Sequence, residues 1–136
     1  MGVMLYVLAT NSAERSEVLC DYLEPRLDAS DAVHAVNSHR GGDRTTQGEL
    51  DRGEEALAVV ETRLSRVTDV ETHQLVRGNS PAEDVIGFVE RHDADEIVMG
   101  VRKRSTTGKV LFGSVAQDIF MQSPVPMRVV PVDDRR

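Results

Sequence analysis

The feature that most constrains the fold is a regular alternation of β-strand and α-helix patterns along the whole chain. Apolar, strand-like segments are predicted at residues 3–9, 32–36, 70–76, 96–99 and 127–132. In the longest segment between them, apolar residues recur at helical spacings of three, four or seven. Strands that alternate with helices pair in parallel through right-handed crossovers. The order therefore predicts an α/β fold, a doubly wound, Rossmann-like, five-stranded parallel sheet with helices on both faces.

The predicted helices begin at recognisable capping residues. Asn11 or Ser12 can cap the first helix. Thr46 followed three residues later by Glu49 forms a capping-box pattern at the start of the second. Ser80 is followed by proline and, three residues on, by glutamate, which indicates the start of the third. The last helix is predicted at residues 114–121.

The length and apolar pattern restrict the class of protein. With 136 residues, the chain has the size of one ordinary domain, and we expect residues 1–136 to form a single domain. No apolar run approaches the roughly 20 residues that span a bilayer. The apolar N-terminus has neither a basic leader nor a cleavage site, so it predicts a strand rather than a signal peptide. We therefore expect a cytoplasmic protein that does not engage a membrane.

Charge and residue usage exclude further classes. The net charge of -7 argues against a nucleic-acid-binding protein. Cys20 is the only cysteine, so no intrachain disulfide can form, and its apolar neighbours indicate a small buried hydrophobe. His34, His39, His73 and His92 occur at no metal-ligand spacing, so the sequence predicts surface or strand-face histidines and no metal site.

Residues 100–114 differ from the rest of the chain in charge. This segment contains four basic residues, including both lysines of the chain, and no acidic residue. A basic segment on an otherwise acidic protein favours an anionic ligand, because like charges elsewhere repel that ligand. Doubly wound sheets also bind ligands beyond the carboxyl ends of their strands, where the strand order reverses. The expected site therefore lies around Asn11 and Gly100, after the first and fourth strands.

The two ends of this segment fit a phosphate group. Gly100 is expected to let the backbone leave the fourth strand for a loop over residues 100–112 and to approach a ligand closely. Gly113 and Ser114 open the last helix, whose free N–H groups and positive dipole end favour an anion. Ser114 is expected to cap that helix and to donate its hydroxyl to a phosphate oxygen. On composition alone, a solvated basic loop with an ordinary Gly-Ser helix cap explains the segment equally well.

The spacing of these residues resembles a known family signature. Universal stress proteins carry Gly, two residues, Gly, nine residues, then Gly and a small hydroxyl residue. Gly100, Lys103, Gly113 and Ser114 stand at those spacings, with Lys103 in place of the second glycine. The flanking residues also resemble the family, and the likeness extends over nearly the whole chain.

The resemblance implies a fold, a ligand and an assembly. The family's sheet is of the adenine-nucleotide α-hydrolase type, has the order 3-2-1-4-5, and pairs across a two-fold axis through its last strand, here from Met127 to Val132, to form a homodimer. In members that bind ATP, the signature loop cradles the ribose and phosphates, while residues after strand one and in strand two hold the adenine. By this resemblance the nucleotide-binding residues are Ala9, Thr10, Asn11, Val36, Met99, Gly100, Lys103, Gly113, Ser114, Val115 and Ala116.

Two departures from the family pattern bear on binding. Asn11 replaces an aspartate, although its amide still offers a donor and an acceptor to adenine. Lys103 either obstructs the backbone approach to the phosphates or pairs with a phosphate through its ammonium group. The first outcome predicts a dimeric protein-interaction module that binds no nucleotide. The second predicts a stress-response regulatory protein that binds ATP.

Catalysis is not predicted from the sequence. Phosphoryl transfer needs metal ligands and a positioned nucleophile or water, and no convincing set of either is present. At most, slow ATP hydrolysis is expected. Mg²⁺ is expected to accompany ATP through phosphate oxygens rather than through a dedicated protein cage.

Overall fold

The computed structural model describes residues 3–103, 110–111 and 113–133 of the chain. The described strands are β1 (Leu5–Ala9), β2 (Ala32–Ser38), β3 (Asp69–Leu75), β4 (Glu96–Lys103), β5 (Val110–Leu111) and β6 (Met127–Asp133). The described helices are α1 (Ala13–Leu23), α2 (Gln47–Leu64), α3 (Pro81–His92) and α4 (Ser114–Gln122). Short 3₁₀ turns occupy Glu24–Arg26 and Gly42–Arg44.

The long strands form one parallel sheet in the spatial order β3-β2-β1-β4-β6. This is the predicted 3-2-1-4-5 order, with β6 as the fifth parallel strand, so the predicted fold class is confirmed. β5 was not predicted. Its two residues pair antiparallel with the end of β4, where Arg102 lies opposite Leu111 and Lys103 lies opposite Val110. Because β6 occupies the other side of β4 there, β5 extends the sheet above the carboxyl end of β1.

Two hydrophobic cores lie on opposite faces of the sheet. One core joins α1 and α2 to alternate residues of the strands, among them Leu8 and Val98. The other joins α3 and α4 to the intervening residues, among them Val7 and Ile97. Cys20 lies fully buried in the first core, as predicted, and burial raises the pKa of its thiol to about 12.

The caps predicted for the first three helices are present. Ser12 accepts a hydrogen bond from the backbone N–H of Arg15, and both predicted capping boxes, at Thr46 and at Ser80, are complete. The cap of α4 differs from the prediction, since Gly113 is the N-cap residue and Ser114 is the first helical residue. A glycine offers no side chain to the helix amides, which leaves the first turn of α4 without a side-chain cap.

Gly100 also differs from its predicted role. It lies inside β4, which continues to Lys103, and it pairs with Val130 of β6 rather than starting a loop. A Cβ atom at this position would lie 2.7 Å from Cγ2 of Val132 and 3.3 Å from Cγ of Arg15. The close packing of α1 and β6 on the strand therefore requires glycine here. Of the predicted loop, residues 104–109 and 112 lie outside the described residues.

Among the helices of the described residues, none is both long and apolar enough to cross a membrane.

Candidate functional site

A cavity of about 520 Å³ lies beyond the carboxyl ends of β1, β2 and β4. β1 and β4 are neighbours in the sheet, but the chain leaves them toward opposite edges, so the cavity lies at the topological switch point. The described residues that line it are Ala9, Thr10, Asn11, Arg15, Val36, Asn37, Ser38, Pro81, Val85, Met99, Gly100, Val101, Arg102, Gly113, Val115, Ala116 and Ile119.

The turn after β1 is fixed by a set of hydrogen bonds to its neighbours. The backbone N–H of Thr10 donates to the carbonyl of Val36 over 3.1 Å, and Nδ2 of Asn37 donates to the carbonyl of Thr10 over 2.8 Å. The hydroxyl of Thr10 lies 2.7 Å from the hydroxyl of Ser16 in α1. These bonds hold Asn11, the next residue, at the exposed rim of the cavity.

Asn37 connects the cavity to α2 behind it. Its side chain is only 3% exposed, and Oδ1 accepts no hydrogen bond from the described residues. A Cβ atom at Gly53 of α2 would lie 2.5 Å from this Oδ1 and 1.9 Å from Oε1 of Gln74. The absence of a side chain at Gly53 therefore makes room for the two amide side chains at the ends of β2 and β3.

A buried carboxylate lies behind the cavity wall. Asp84 of α3 is 3% exposed, and its two oxygens accept hydrogen bonds from the hydroxyl of Ser38 over 2.6 Å and from the amide of Asn79 over 3.2 Å. Ser38 lines the cavity, whereas Asp84 does not. The hydroxyl of Ser38 therefore stands between the carboxylate and any ligand in the cavity.

The charged residues that line the described part of the cavity are arginines. Arg102 lies on β4 beside β5, and Arg15 lies in the first turn of α1. Nη1 of Arg15 donates to the carbonyl of Gly100 over 2.8 Å, which places this guanidinium at the junction of α1 and β4. With two guanidinium groups and no carboxylate among the described lining residues, the cavity favours an anion.

The amino end of α4 forms one side of the same cavity. Gly113, the N-cap residue, lines it, and a Cβ atom built there would meet nothing within 4 Å. The first intrahelical backbone bond runs from the N–H of Gln117 to the carbonyl of Gly113, so the amides of the preceding turn make no bond within the helix. No acidic residue stands in this first turn. Amides that make no bond within the helix, together with the positive end of the helix dipole, are suited to a phosphate group.

The structure brings most of the predicted site residues to this cavity. Those that line it are Ala9, Thr10, Asn11, Val36, Met99, Gly100, Gly113, Val115 and Ala116. Ser114 is exposed and is not among the lining residues, so the structure does not place its side chain in the cavity. The backbone of Lys103 pairs in β4, but its side chain lies outside the described part of the protein.

The sequence analysis missed several lining residues: Arg15, Asn37, Ser38, Pro81, Val85, Val101, Arg102 and Ile119. Asn37 and Ser38 were missed because the second strand was predicted to end at Val36, two residues before its observed end. Arg102 was counted in the basic segment without a role in the site. The remainder reach the cavity from helix faces and from strand residues predicted as loop.

A comparison with known protein families identifies the family of this chain. A model of the universal stress protein family matches residues 7–131. The chain belongs to this family. The match covers every described parallel strand at least in part, so the resemblance inferred from Gly100, Gly113 and Ser114 is confirmed.

Individual relatives agree with this assignment. A solved universal stress protein of Archaeoglobus fulgidus is 32% identical, covers 95% of this chain and 99% of its own, and superposes with a TM-score of 0.76. A second structure from the same organism, in complex with dAMP, is 28% identical over 96% of this chain and 99% of that chain, with a TM-score of 0.71.

A third relative matches part of this chain in sequence. A universal stress protein of Methanocaldococcus jannaschii is 31% identical over 80 residues, which cover 59% of this chain and 46% of that relative. This chain therefore matches about half of that curated relative's length.

Proposed function

We propose that the cavity binds an adenine nucleotide, with ATP as the preferred ligand, and that the protein regulates a stress response rather than catalysing a reaction. The observation that carries this proposal is that apolar strand ends, two arginines and the amino end of α4 line one cavity at the switch point. The complex of the Archaeoglobus fulgidus relative with dAMP supports it.

Each part of the nucleotide has a matching part of the cavity. Asn11 and Val36 are proposed to contact the adenine, and Met99 and Gly100 the ribose. The phosphates are proposed to lie against the backbone amides of residues 114–116 at the amino end of α4, with Arg102 nearby. Mg²⁺ is proposed to bind through phosphate oxygens, because the described lining residues provide no carboxylate to hold it.

Because the described lining residues include no carboxylate, we propose no catalytic activity. A phosphoryl-transfer site positions a metal ion and a nucleophile with acidic side chains. The nearest buried carboxylate described at the cavity wall, Asp84, accepts hydrogen bonds from Ser38 and Asn79 instead.

We further propose a cytoplasmic homodimer that pairs through β6. This strand pairs with β4 on one side, and no strand among the described residues covers its other side. An uncovered apolar edge tends to pair with another strand. The exposed side chains of Phe120 and Met121, on the helix that precedes β6, add apolar surface. Sedimentation velocity at micromolar concentration is expected to give a dimer, and a monomer there contradicts this part of the proposal.

Calorimetric titration with ATP, ADP and AMP, with and without Mg²⁺, tests the function. We expect ATP to bind the wild type, and Gly113→Asp to weaken binding by about a hundredfold, because a carboxylate beside the phosphates repels them. Gly113→Asn is the matched control. It has the same shape and is an equally good N-cap residue, but it carries no charge.

The two substitutions separate charge from folding. A Cβ atom at Gly113 would meet nothing within 4 Å, so neither substitution creates a clash at Cβ. Equal affinities for the two variants would place the phosphates elsewhere. A folded wild type that binds none of the three nucleotides would reject the proposal and favour the interaction module.

A further inference from the structure

Two histidines from neighbouring strands lie together on the α3 face of the sheet, at its β3 edge. In the parallel register of β2 and β3, His34 is opposite Glu71, and Val36 is opposite His73. Because side chains alternate between faces, His34, Glu71 and His73 share one face. Nδ1 of His34 lies 3.0 Å from Nε2 of His73, and Oε1 of Glu71 lies 4.0 Å and 3.8 Å from the same two nitrogens.

We propose that His34, Glu71 and His73, the histidine cluster, form a binding site for a zinc-like divalent transition-metal ion. The three donor atoms come from two adjacent strands and all lie within 4.8 Å of one another. In a tetrahedral zinc site with bonds of about 2.0–2.1 Å, ligand atoms lie about 3.3 Å apart. The two nitrogens are closer together than this value, at 3.0 Å. The carboxylate oxygen is farther from them, at 4.0 Å and 3.8 Å. The side chain of Glu71 is 70% exposed, so it can rotate toward the nitrogens.

The two histidine side chains are partly buried, at 12% and 26% exposed. A metal ion binds imidazole through a ring nitrogen that carries no proton. In the short contact between the rings one nitrogen donates its proton to the other. For both nitrogens to bind a metal ion, the donating ring would carry that proton on its other ring nitrogen instead.

The surroundings of the cluster are aromatic. The ring of Phe88 lies with its centroid 5.2 Å from that of His34 and 4.7 Å from that of His73. His92, one turn later on α3, stacks on Phe88 at 4.1 Å. These rings close one side of the site and leave the exposed Glu71 on the other. An ion can therefore enter from solvent and retain a position for water, since the protein supplies three ligands.

The donor set selects the class of ion. Two imidazoles with one carboxylate suit zinc, iron, nickel or copper, whereas Mg²⁺ prefers oxygen ligands in octahedral geometry. Cys20 is not a competing ligand, because it is fully buried among apolar residues and its raised pKa keeps the thiol protonated. None of the three cluster residues lines the nucleotide cavity, so the cluster is a separate site.

The test is a titration of the untagged, nucleotide-free protein with Zn²⁺, followed by calorimetry, and with Co²⁺, followed by absorption. We expect one ion per chain, unaffected by excess Mg²⁺, and a Co²⁺ spectrum with no sulfur charge-transfer band. Glu71→Gln is expected to weaken Zn²⁺ binding at least about tenfold. His73→Gln is expected to abolish it.

Two controls keep the outcome decisive. His39→Gln removes a histidine outside the cluster, where Nε2 lies 2.8 Å from Oε1 of Gln74, and is expected to bind Zn²⁺ as the wild type does. Because the side chain of Glu71 is exposed, Glu71→Gln is expected to fold. Its Zn²⁺ affinity therefore tests the site even if His73→Gln fails to fold. Absence of Zn²⁺ binding by the folded wild type, or equal affinity in all four proteins, would overturn the proposal, as would a sulfur charge-transfer band.

Discussion

The cavity at the switch point and the histidine cluster both take residues from β2, yet they offer opposite chemistry. β2 contributes Val36 to the cavity and, two residues earlier, His34 to the cluster. The described wall of the cavity has two arginines and the amino end of a helix. The buried carboxylate of Asp84 lies behind it and accepts a hydrogen bond from Ser38. The cluster has two partly buried imidazoles and an exposed carboxylate.

The difference shows how one sheet can hold a proposed anion site and a proposed cation site apart. The cavity is built from residues at the ends of strands, where backbone amides and helix termini are free to meet a phosphate. The cluster is built from residues within strands, where register alone sets the distance between side chains. Because the two sites share no residue, a substitution at one site is not expected to change ligand affinity at the other.

Crossed titrations give the largest expected effect and test this separation directly. Gly113→Asp is expected to weaken ATP binding about a hundredfold while leaving Zn²⁺ affinity unchanged, because the new carboxylate is added at the cavity and not at the cluster. His73→Gln is expected to do the reverse. Calorimetry with both ligands on both variants measures all four values. A loss of ATP affinity in His73→Gln would show that the two sites are coupled and would contradict their separation.

The fold and the cavity could be predicted from the sequence to different extents. Capping residues such as Ser80 and buried apolar strands specify element order locally, so the sheet topology followed from the pattern and the family resemblance. The predicted end of β4 was wrong. Gly100 packs against Val132, which belongs to a strand far along the chain, so the local sequence does not reveal this contact. A glycine in sequence indicated a loop, and only the tertiary packing shows that it belongs inside a strand.

The histidine cluster could not be predicted at all. His34 and His73 lie 39 residues apart and match no metal-ligand spacing, so the sequence analysis assigned no metal site. What brings them together is the register of β2 against β3, which pairs Val36 with His73. A shift of one residue in that register would place the two histidines on opposite faces of the sheet. Spacing rules detect sites within one loop or helix, and they miss sites assembled across strands.

A smaller effect is expected at Gly53, where α2 packs against the side chain of Asn37. Gly53→Ala places a methyl group within 2.5 Å of Oδ1 of Asn37 and 1.9 Å of Oε1 of Gln74, so both amides must move. Overpacking of this kind costs about 1–3 kcal/mol. Because Asn37 also donates to the carbonyl of Thr10, we expect ATP affinity to fall with the free energy of unfolding. Asn37 and Gln74 are on the opposite face of the sheet from the cluster, so Zn²⁺ affinity is expected to persist.

Gly48→Ala, in the same helix, is the matched control for that substitution. Its new methyl group would lie 3.7 Å from Nη1 of Arg52 and 3.9 Å from Oγ1 of Thr46, which are ordinary contacts. Replacing a helical glycine by alanine without a clash stabilises a protein by about 0.5–1 kcal/mol. Urea unfolding should therefore shift in opposite directions for the two variants. If Gly53→Ala were also stabilising, the amide of Asn37 would not be held against α2, and the rigid turn at Thr10 would need another cause.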